Sequence, residues 1–194
     1  MLYRLSDGRA VIDRTLRLFR DDPDCAQIVA VVNEPVLHYL LAQDDNDGKL
    51  VYCLGGAQRC DSVYNGLLAV NQDVVLVHDG ARCFLTAGEL AAVKQAMETE
   101  AAAILTGTMT DTVKQVADGY VTATLDRDGL RRAQTPQGFR FELLMGCYGQ
   151  ALADGFKPTD EAQAVERYGQ ARIRCLAGRP TNIKVTTLQD VQGR

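Results

Sequence analysis

The chain has 194 residues, 46% of them apolar and 24% charged, with a formal net charge of −4. That length supports one domain with a sizeable core, and the mildly acidic balance gives no electrostatic reason to expect nucleic acid or a membrane surface as partner. No apolar run reaches the 18 residues of a membrane span, the N-terminus lacks the apolar core of a secretory signal, and six cysteines without a C-x-x-C pair argue against zinc and for reduced thiols in a cytoplasmic protein.

Val11, Ile12, Thr15, Leu16 and Phe19 recur at helical spacing, so residues 10–20 are expected to form an amphipathic helix, with Pro23 beyond its end. QIVAVVN (27–33) is a short β-branched run typical of a strand covered on both faces. A helix is expected at 34–43, a solvated loop at 44–48 (DDNDG), and a second buried strand at LVYCL (50–54). Gly55-Gly56 breaks that strand, and 59–71 returns to helical spacing. DVVLVH (73–78) is a third strand, TAGE (86–89) a capping box opening a helix to about residue 99, and AAAILTG (101–107) a fourth strand. Cys53 and Cys175 fall inside apolar runs that read as buried strands.

Strands and helices that alternate through short connections predict an α/β fold with a mostly parallel, doubly wound sheet. Sites in such sheets lie beyond the carboxyl ends of the strands. Gly55-Gly56, His78-Asp79-Gly80 and Thr106-Gly107-Thr108 all fall at such ends. Residues 110–132 differ: VKQV and YVTATL flank Asp118-Gly119 and predict a protruding antiparallel hairpin. A helix at 140–153 follows, then one capped near Thr159 or Asp160, with last strands at ARIRCLA (171–177) and NIKVTT (182–187). Thr187 could cap a short terminal helix.

Several constellations could carry chemistry. In GGAQRCDSV (55–63), paired glycines allow the backbone to approach a ligand, and Ser62 sits near a helix start; a capped loop explains the same residues. In VHDGAR (77–82), Asp79 directly after a buried strand suits a divalent metal on a nucleotide, and Arg82 offers a planar donor fork to phosphate. Alternatively Asp79 and Arg82 simply pair. Arg127 on a charged hairpin reads by itself as a surface residue. Pro136 holds Thr135 in extended or turn backbone, and PTDEA (158–162) reads as a helix cap. Lys184 in an apolar segment must reach water or an anion. His78 reads as a hydrogen-bonded core residue rather than a general base.

Taken in order, GG-x-x-R-x-x-SV, VHD-x-AR, TDT-x-K, L-D-R-x-GL, QTPQ-x-F, TDEA and NIKVTT resemble the cytidylyltransferases that act on 2-C-methyl-D-erythritol 4-phosphate, from about residue 3 to the end. The resemblance implies a Rossmann-like nucleotidyltransferase, one domain over 1–194, and a homodimer whose arm, 110–132, reaches the partner. It implies transfer of the cytidylyl group of CTP to methylerythritol phosphate, giving 4-diphosphocytidyl-2-C-methyl-D-erythritol and pyrophosphate in non-mevalonate isoprenoid synthesis, with Mg²⁺. Carried over, Gly56, Ala57 and Ser62 meet the cytosine and ribose, and Gly80 the nucleotide. Asp79 holds the metal, and Arg82 lies near the acceptor. Thr112 and Arg127 reach the acceptor from the partner's arm, Thr135 and Thr159 add polar contacts, and Lys184 sits between the reacting phosphates.

Two departures stand out. The family's opening strand, Gly-rich loop with its arginine, and the lysine before the segment matching Tyr3 are not among these 194 residues; Met1 falls where that lysine is expected. Cys83 replaces a usual proline. Slow turnover by this stretch of chain is therefore expected, and two further readings stay open: an inactive nucleotide-binding paralogue, and a ribitol-5-phosphate cytidylyltransferase.

Overall fold

Residues 1–43 and 48–191 are described in a computed structural model of the chain. The predicted loop at 44–48 lies, except for Gly48, outside the described residues. The first half follows the predicted alternation. Helix α1 (Val11–Arg20) is followed by β1 (Ile28–Val32), α2 (Glu34–Leu41), β2 (Leu50–Leu54), α3 (Arg59–Leu67), β3 (Val74–Val77), α4 (Ala87–Met97) and β4 (Ala102–Thr108). Local grammar sets several of these boundaries. Asn33 caps α2 by accepting from the Val36 N–H, with Pro35 in the first turn, and Thr86 caps α4 by accepting from the Glu89 N–H.

The sheet is divided. β1 pairs with β2 in parallel, residue 28 opposite 50. The larger sheet runs β3–β7–β4–β8, with β7 (Arg131–Arg140) antiparallel to both neighbours and β8 (Ile173–Ala177) parallel to β4. β7 thus makes mixed a sheet expected to be mostly parallel. Its sequence conceals it: RRAQTPQGFR has no apolar alternation and a proline at a cis Thr135–Pro136 bond. Six consecutive residues of it are nevertheless buried, because it runs through the centre of the sheet.

NIKVTT does not form the predicted strand. Its backbone is held by isolated bonds: the Val185 N–H donates to Ala81 O (2.8 Å), and the Asn182 Nδ2 amide donates to Thr135 O (3.0 Å). Cys175 is exposed and Cys53 only half-buried, against the expectation of two buried strands. β8 is the edge of its sheet, pairing with β4 alone among the described strands, so one face and one side of it meet solvent.

Of the four apolar clusters among the described residues, two join helices to the two sheets. Leu16, Ala30, Val32, Val36 and Leu50 join α1 and α2 to the smaller sheet. Phe139, Leu144, Tyr148, Ala164 and Val165 pack the larger sheet beneath α5 (Phe141–Ala153) and α6 (Glu161–Tyr168). Between the facing edges of β1 and β3 lies a cavity of about 940 Å³, lined by Phe19, Val29, Val31, Val75 and Leu76 and reaching Asp79 at one end.

The predicted hairpin is present as β5 (Val113–Ala117) and β6 (Tyr120–Leu125), which among the described residues pair only with each other. Asp118 and Gly119 turn it with φ of 50° and 83°, the left-handed pair that a two-residue hairpin demands. Its faces are open to solvent, and Tyr120 is 79% exposed.

Candidate active site

The carboxyl ends of β2 and β3, the start of α3, and residues 179–185 converge on Asp79. Its side chain is only 14% exposed and is met by three cations. Arg82 Nε and Lys184 Nζ each lie 3.3 Å from Oδ2, and Arg59 Nη2 lies 3.6 Å from Oδ1. Burial opposes ionisation of Asp79, but Lys184, Arg59 and Arg82 together hold its carboxyl below the ordinary range. Asp79 and Arg82 do pair, as the simpler reading of VHDGAR allowed, but as part of a four-membered cluster.

A hydrogen-bond chain behind Asp79 fixes its backbone. The Asp79 N–H donates to Thr135 Oγ1 at 3.0 Å, and Thr135 Oγ1 lies 2.9 Å from His78 Nδ1. His78 Nε2 lies 3.2 Å from the Arg82 carbonyl oxygen, which can only accept. Nε2 therefore carries the imidazole proton, and Nδ1 accepts from the Thr135 hydroxyl. Burial lowers the His78 pKa to about 4 and keeps the ring neutral. The histidine is thus a core hydrogen-bonding residue, as expected from its place at a strand end.

The Lys184 segment is anchored from several sides. Arg82 Nη1 donates to Asn182 O (2.8 Å), and Gln134 Nε2 donates to Arg179 O (3.0 Å). Glu89, the far half of the α4 capping box, accepts from the Arg179 N–H at 2.8 Å. These bonds hold the backbone before Lys184, and the Val185 N–H bond to Ala81 O holds it after, while the Lys184 side chain stays 46% exposed and open to a solute.

The loop after β2 is equally constrained. A Cβ on Gly56 would stand 2.4 Å from the Asp61 Cβ, so only glycine fits there. The Gly56 N–H donates to Ser62 Oγ, and that hydroxyl donates to Gln58 O, both at 3.0 Å. Ser62 braces the loop, leaving Ala57 exposed at its crest. Gly80 lies beside Asp79, its carbonyl accepting from the Thr15 hydroxyl at 2.8 Å.

Among the described residues, none of the remaining predicted ones pairs with Asp79. Thr159 is exposed and bonds Gln163 Oε1 through its N–H (2.8 Å) and hydroxyl (3.2 Å), while Asp160 caps α6. Thr112 is exposed at the foot of the arm. Arg127, in a short 3₁₀ turn after β6, donates to the Thr110 carbonyl. The structure therefore gathers Gly56, Ser62, Asp79, Gly80, Arg82, Thr135 and Lys184 around one strand-end region. Thr112 and Arg127 sit instead on the arm, Thr112 exposed and Arg127 bonded to the Thr110 carbonyl.

Two residues of the cluster carried no role in the sequence reading: Arg59 and Glu161. They sit in the GG-x-x-R and TDEA motifs, 102 positions apart, so only the ordered pattern of motifs could have flagged them. As to a metal, no group of three His, Cys, Asp or Glu side chains arranged to hold one occurs among the described residues. A lone carboxylate fits Mg²⁺ where substrate phosphates supply the remaining oxygens, and Asp79 is a carboxylate placed at the strand end.

A family model described as 2-C-methyl-D-erythritol 4-phosphate cytidylyltransferase matches residues 1–193. A protein of that name from Bacillus mycoides is 39% identical over 194 residues, covering 98% of this chain and 85% of its own. Among solved structures, a 4-diphosphocytidyl-2C-methyl-D-erythritol synthase from Anaerococcus prevotii superposes with a TM-score of 0.89 at 31% identity, covering 95% of this chain and 83% of its own. A 2-C-methyl-D-erythritol 4-phosphate cytidylyltransferase from Francisella tularensis superposes with a TM-score of 0.84 at 33% identity, covering 98% and 88%.

Proposed function

This chain belongs to the 2-C-methyl-D-erythritol 4-phosphate cytidylyltransferase family, and on that premise we propose how its residues divide the work of the reaction. The enzyme transfers the cytidylyl group of CTP to 2-C-methyl-D-erythritol 4-phosphate in isoprenoid biosynthesis. A phosphate oxygen of the acceptor attacks the α-phosphorus of CTP in line, a new P–O bond forms, and the bond to the bridging oxygen of pyrophosphate breaks. Such a step needs positioning and charge neutralisation more than covalent help.

The observation that carries the site assignment is the group of three cations around one carboxylate at the carboxyl end of β3. In our reading Lys184, exposed at its tip and fixed at its backbone, bridges the reacting phosphates, and Arg82 lies toward the acceptor. Gly56, Ala57, Ser62 and Gly80 frame the nucleotide, while Thr135 holds Asp79 from behind. Thr159 contributes at the rim. Asp79 would hold Mg²⁺, which supplies charge neutralisation on the phosphates when bound. Because the Asp79 charge is already balanced by three side chains, removing divalent metal with a chelator is expected to stop turnover while leaving the thermal unfolding midpoint within ~2 °C.

The reading extends to a cytoplasmic homodimer in which Thr112 and Arg127 act on the acceptor bound by the other subunit. The self-paired arm, with Val116, Tyr120 and Val121 open to solvent, supports it. Six cysteines left as thiols fit a reducing compartment, and no helix among the described residues is long and apolar enough to cross a membrane.

Pyrophosphate release from CTP, measured with each acceptor in turn, tests this. Release with methylerythritol phosphate at least ~10-fold faster than with ribitol 5-phosphate is expected, since each 1.4 kcal/mol of differential binding is tenfold. Faster release with ribitol 5-phosphate would overturn the acceptor, and release with neither would overturn transfer by these 194 residues.

A further inference from the structure

We propose that Glu161 and Arg59 are positioning residues that set the orientation of Asp79; this rests on the function proposed above. Glu161, at the start of α6, has a fully buried side chain. It takes Arg59 in two parallel bonds, Nη1 to Oε1 at 2.7 Å and Nη2 to Oε2 at 3.1 Å, and accepts from the Tyr148 hydroxyl at 3.2 Å. Burial drives the Tyr148 phenol far above its ordinary range, with the Glu161 charge adding to the effect, so it stays protonated and donating.

Arg59 Nη2 belongs to two contacts at once. It bonds Glu161 at 3.1 Å and faces Asp79 Oδ1 at 3.6 Å. The two distances rank the partners: Glu161 holds the fork in a charge-assisted pair, and Asp79 receives the remaining, longer interaction. A bidentate guanidinium has one plane and no freedom to turn while both bonds persist. Glu161 therefore keeps Arg59 from closing on Asp79 in a pair of its own, and leaves that carboxylate oriented between Arg59 on one oxygen and Arg82 with Lys184 on the other.

A purely structural role accounts poorly for the arrangement. Withdrawing a carboxylate completely from water is costly, and a buried ion pair is a weak device for stability compared with apolar packing. The surroundings already contain that packing, since Tyr148, Leu144, Ala164 and Val165 are all buried there. The charges add a fixed direction for one guanidinium, and that direction points at the carboxylate at the centre of the site.

Glu161→Gln keeps the shape and the acceptor for Tyr148 but removes the charge. A crystal structure of this variant is expected to show Arg59 turned onto Asp79, with an Nη–Oδ distance shortened to ~2.9 Å. Steady-state kinetics are expected to show kcat reduced ~10-fold with KM for CTP and acceptor nearly unchanged. In the double variant with Asp79→Asn, the loss is expected to equal that of Asp79→Asn alone. Arg59→Lys reads the same link from the other end, because lysine cannot hold both carboxylates with a planar fork, and the same fall in kcat is expected; it also serves if Glu161→Gln does not fold. Arg59 unmoved in the Glu161→Gln crystal, full wild-type kcat in Arg59→Lys, or losses that multiply in the double variant would each overturn the proposal. The crystallographic result reads the link without turnover, so wild-type protein that fails to transfer cytidylyl groups counts against the function and not against this coupling.

Discussion

The Asp79 cluster and the hairpin arm carry basic residues under opposite conditions. Around Asp79, separated segments supply side chains, and long-range hydrogen bonds to backbone groups tie the segments together: Thr135 to the Asp79 N–H, Arg82 to the Asn182 carbonyl, Glu89 to the Arg179 N–H. On the arm, Arg127 meets the carbonyl of Thr110 and little else. The first kind of site is completed by the folding of one chain. The second has a defined shape and no counter-surface among the described residues, the setting that the proposed action of Arg127 on another subunit requires.

The sharpest way to break that contrast is to remove one charge from each region. Lys184→Ala is expected to lower kcat/KM by ~10²–10³, the scale of losing one pre-organised stabilising donor, with circular dichroism unchanged because the backbone there is held without it. Arg127→Ala is expected to cost ~10-fold in kcat/KM and nothing measurable in stability. Mixing the two impaired variants sharpens the point: if the arm serves the partner's site, a 1:1 mixture of exchanging isologous dimers reaches about a quarter of wild-type activity, above the average of the two variants measured apart. No recovery would confine Arg127 to its own subunit.

Acid should separate the regions by stability. His78 is held neutral with a pKa near 4 against an ordinary 6.5, so the unfolded chain takes up this proton first as pH falls. The contribution is intact above about pH 6.5 and is lost progressively towards pH 4, reaching about 3 kcal/mol. Denaturant midpoints across that range should fall in wild type and fall less in His78→Asn. The smallest effect is expected at the arm tip: Tyr120→Ser should change monomer stability by under ~0.5 kcal/mol while weakening self-association in sedimentation.

Legibility in the sequence follows the same division. β1 to β4 could be read because apolar β-branched runs and their caps are local signals, and the arm because Asp118-Gly119 flanked by alternation has few other uses. β7 could not: its central position buries Gln134, Thr135 and Gln137, whose side chains bond mainly to long-range partners no window contains, Gln134 Oε1 alone among their polar atoms having no partner among the described residues. NIKVTT looked like a strand for the converse reason, its alternation being real and its ladder absent. The Asp79 end of the site was visible as a carboxylate after a buried run. The Arg59–Glu161 pair was not, since nothing in either helix says that the other stands opposite.

Glu89 gives the capping box of α4 an unusual reach. One of its carboxylate oxygens accepts from the Thr86 N–H and hydroxyl, at 3.0 and 2.8 Å, while the other holds the Arg179 N–H at 2.8 Å, 90 residues away. A designer scanning for harmless surface caps to optimise would see ordinary helix spelling at 86–89 and feel free to rewrite it. In this protein that rewrite loosens a hinge pin of the lysine segment, so a substitution chosen for thermostability would surface as an enzyme defect.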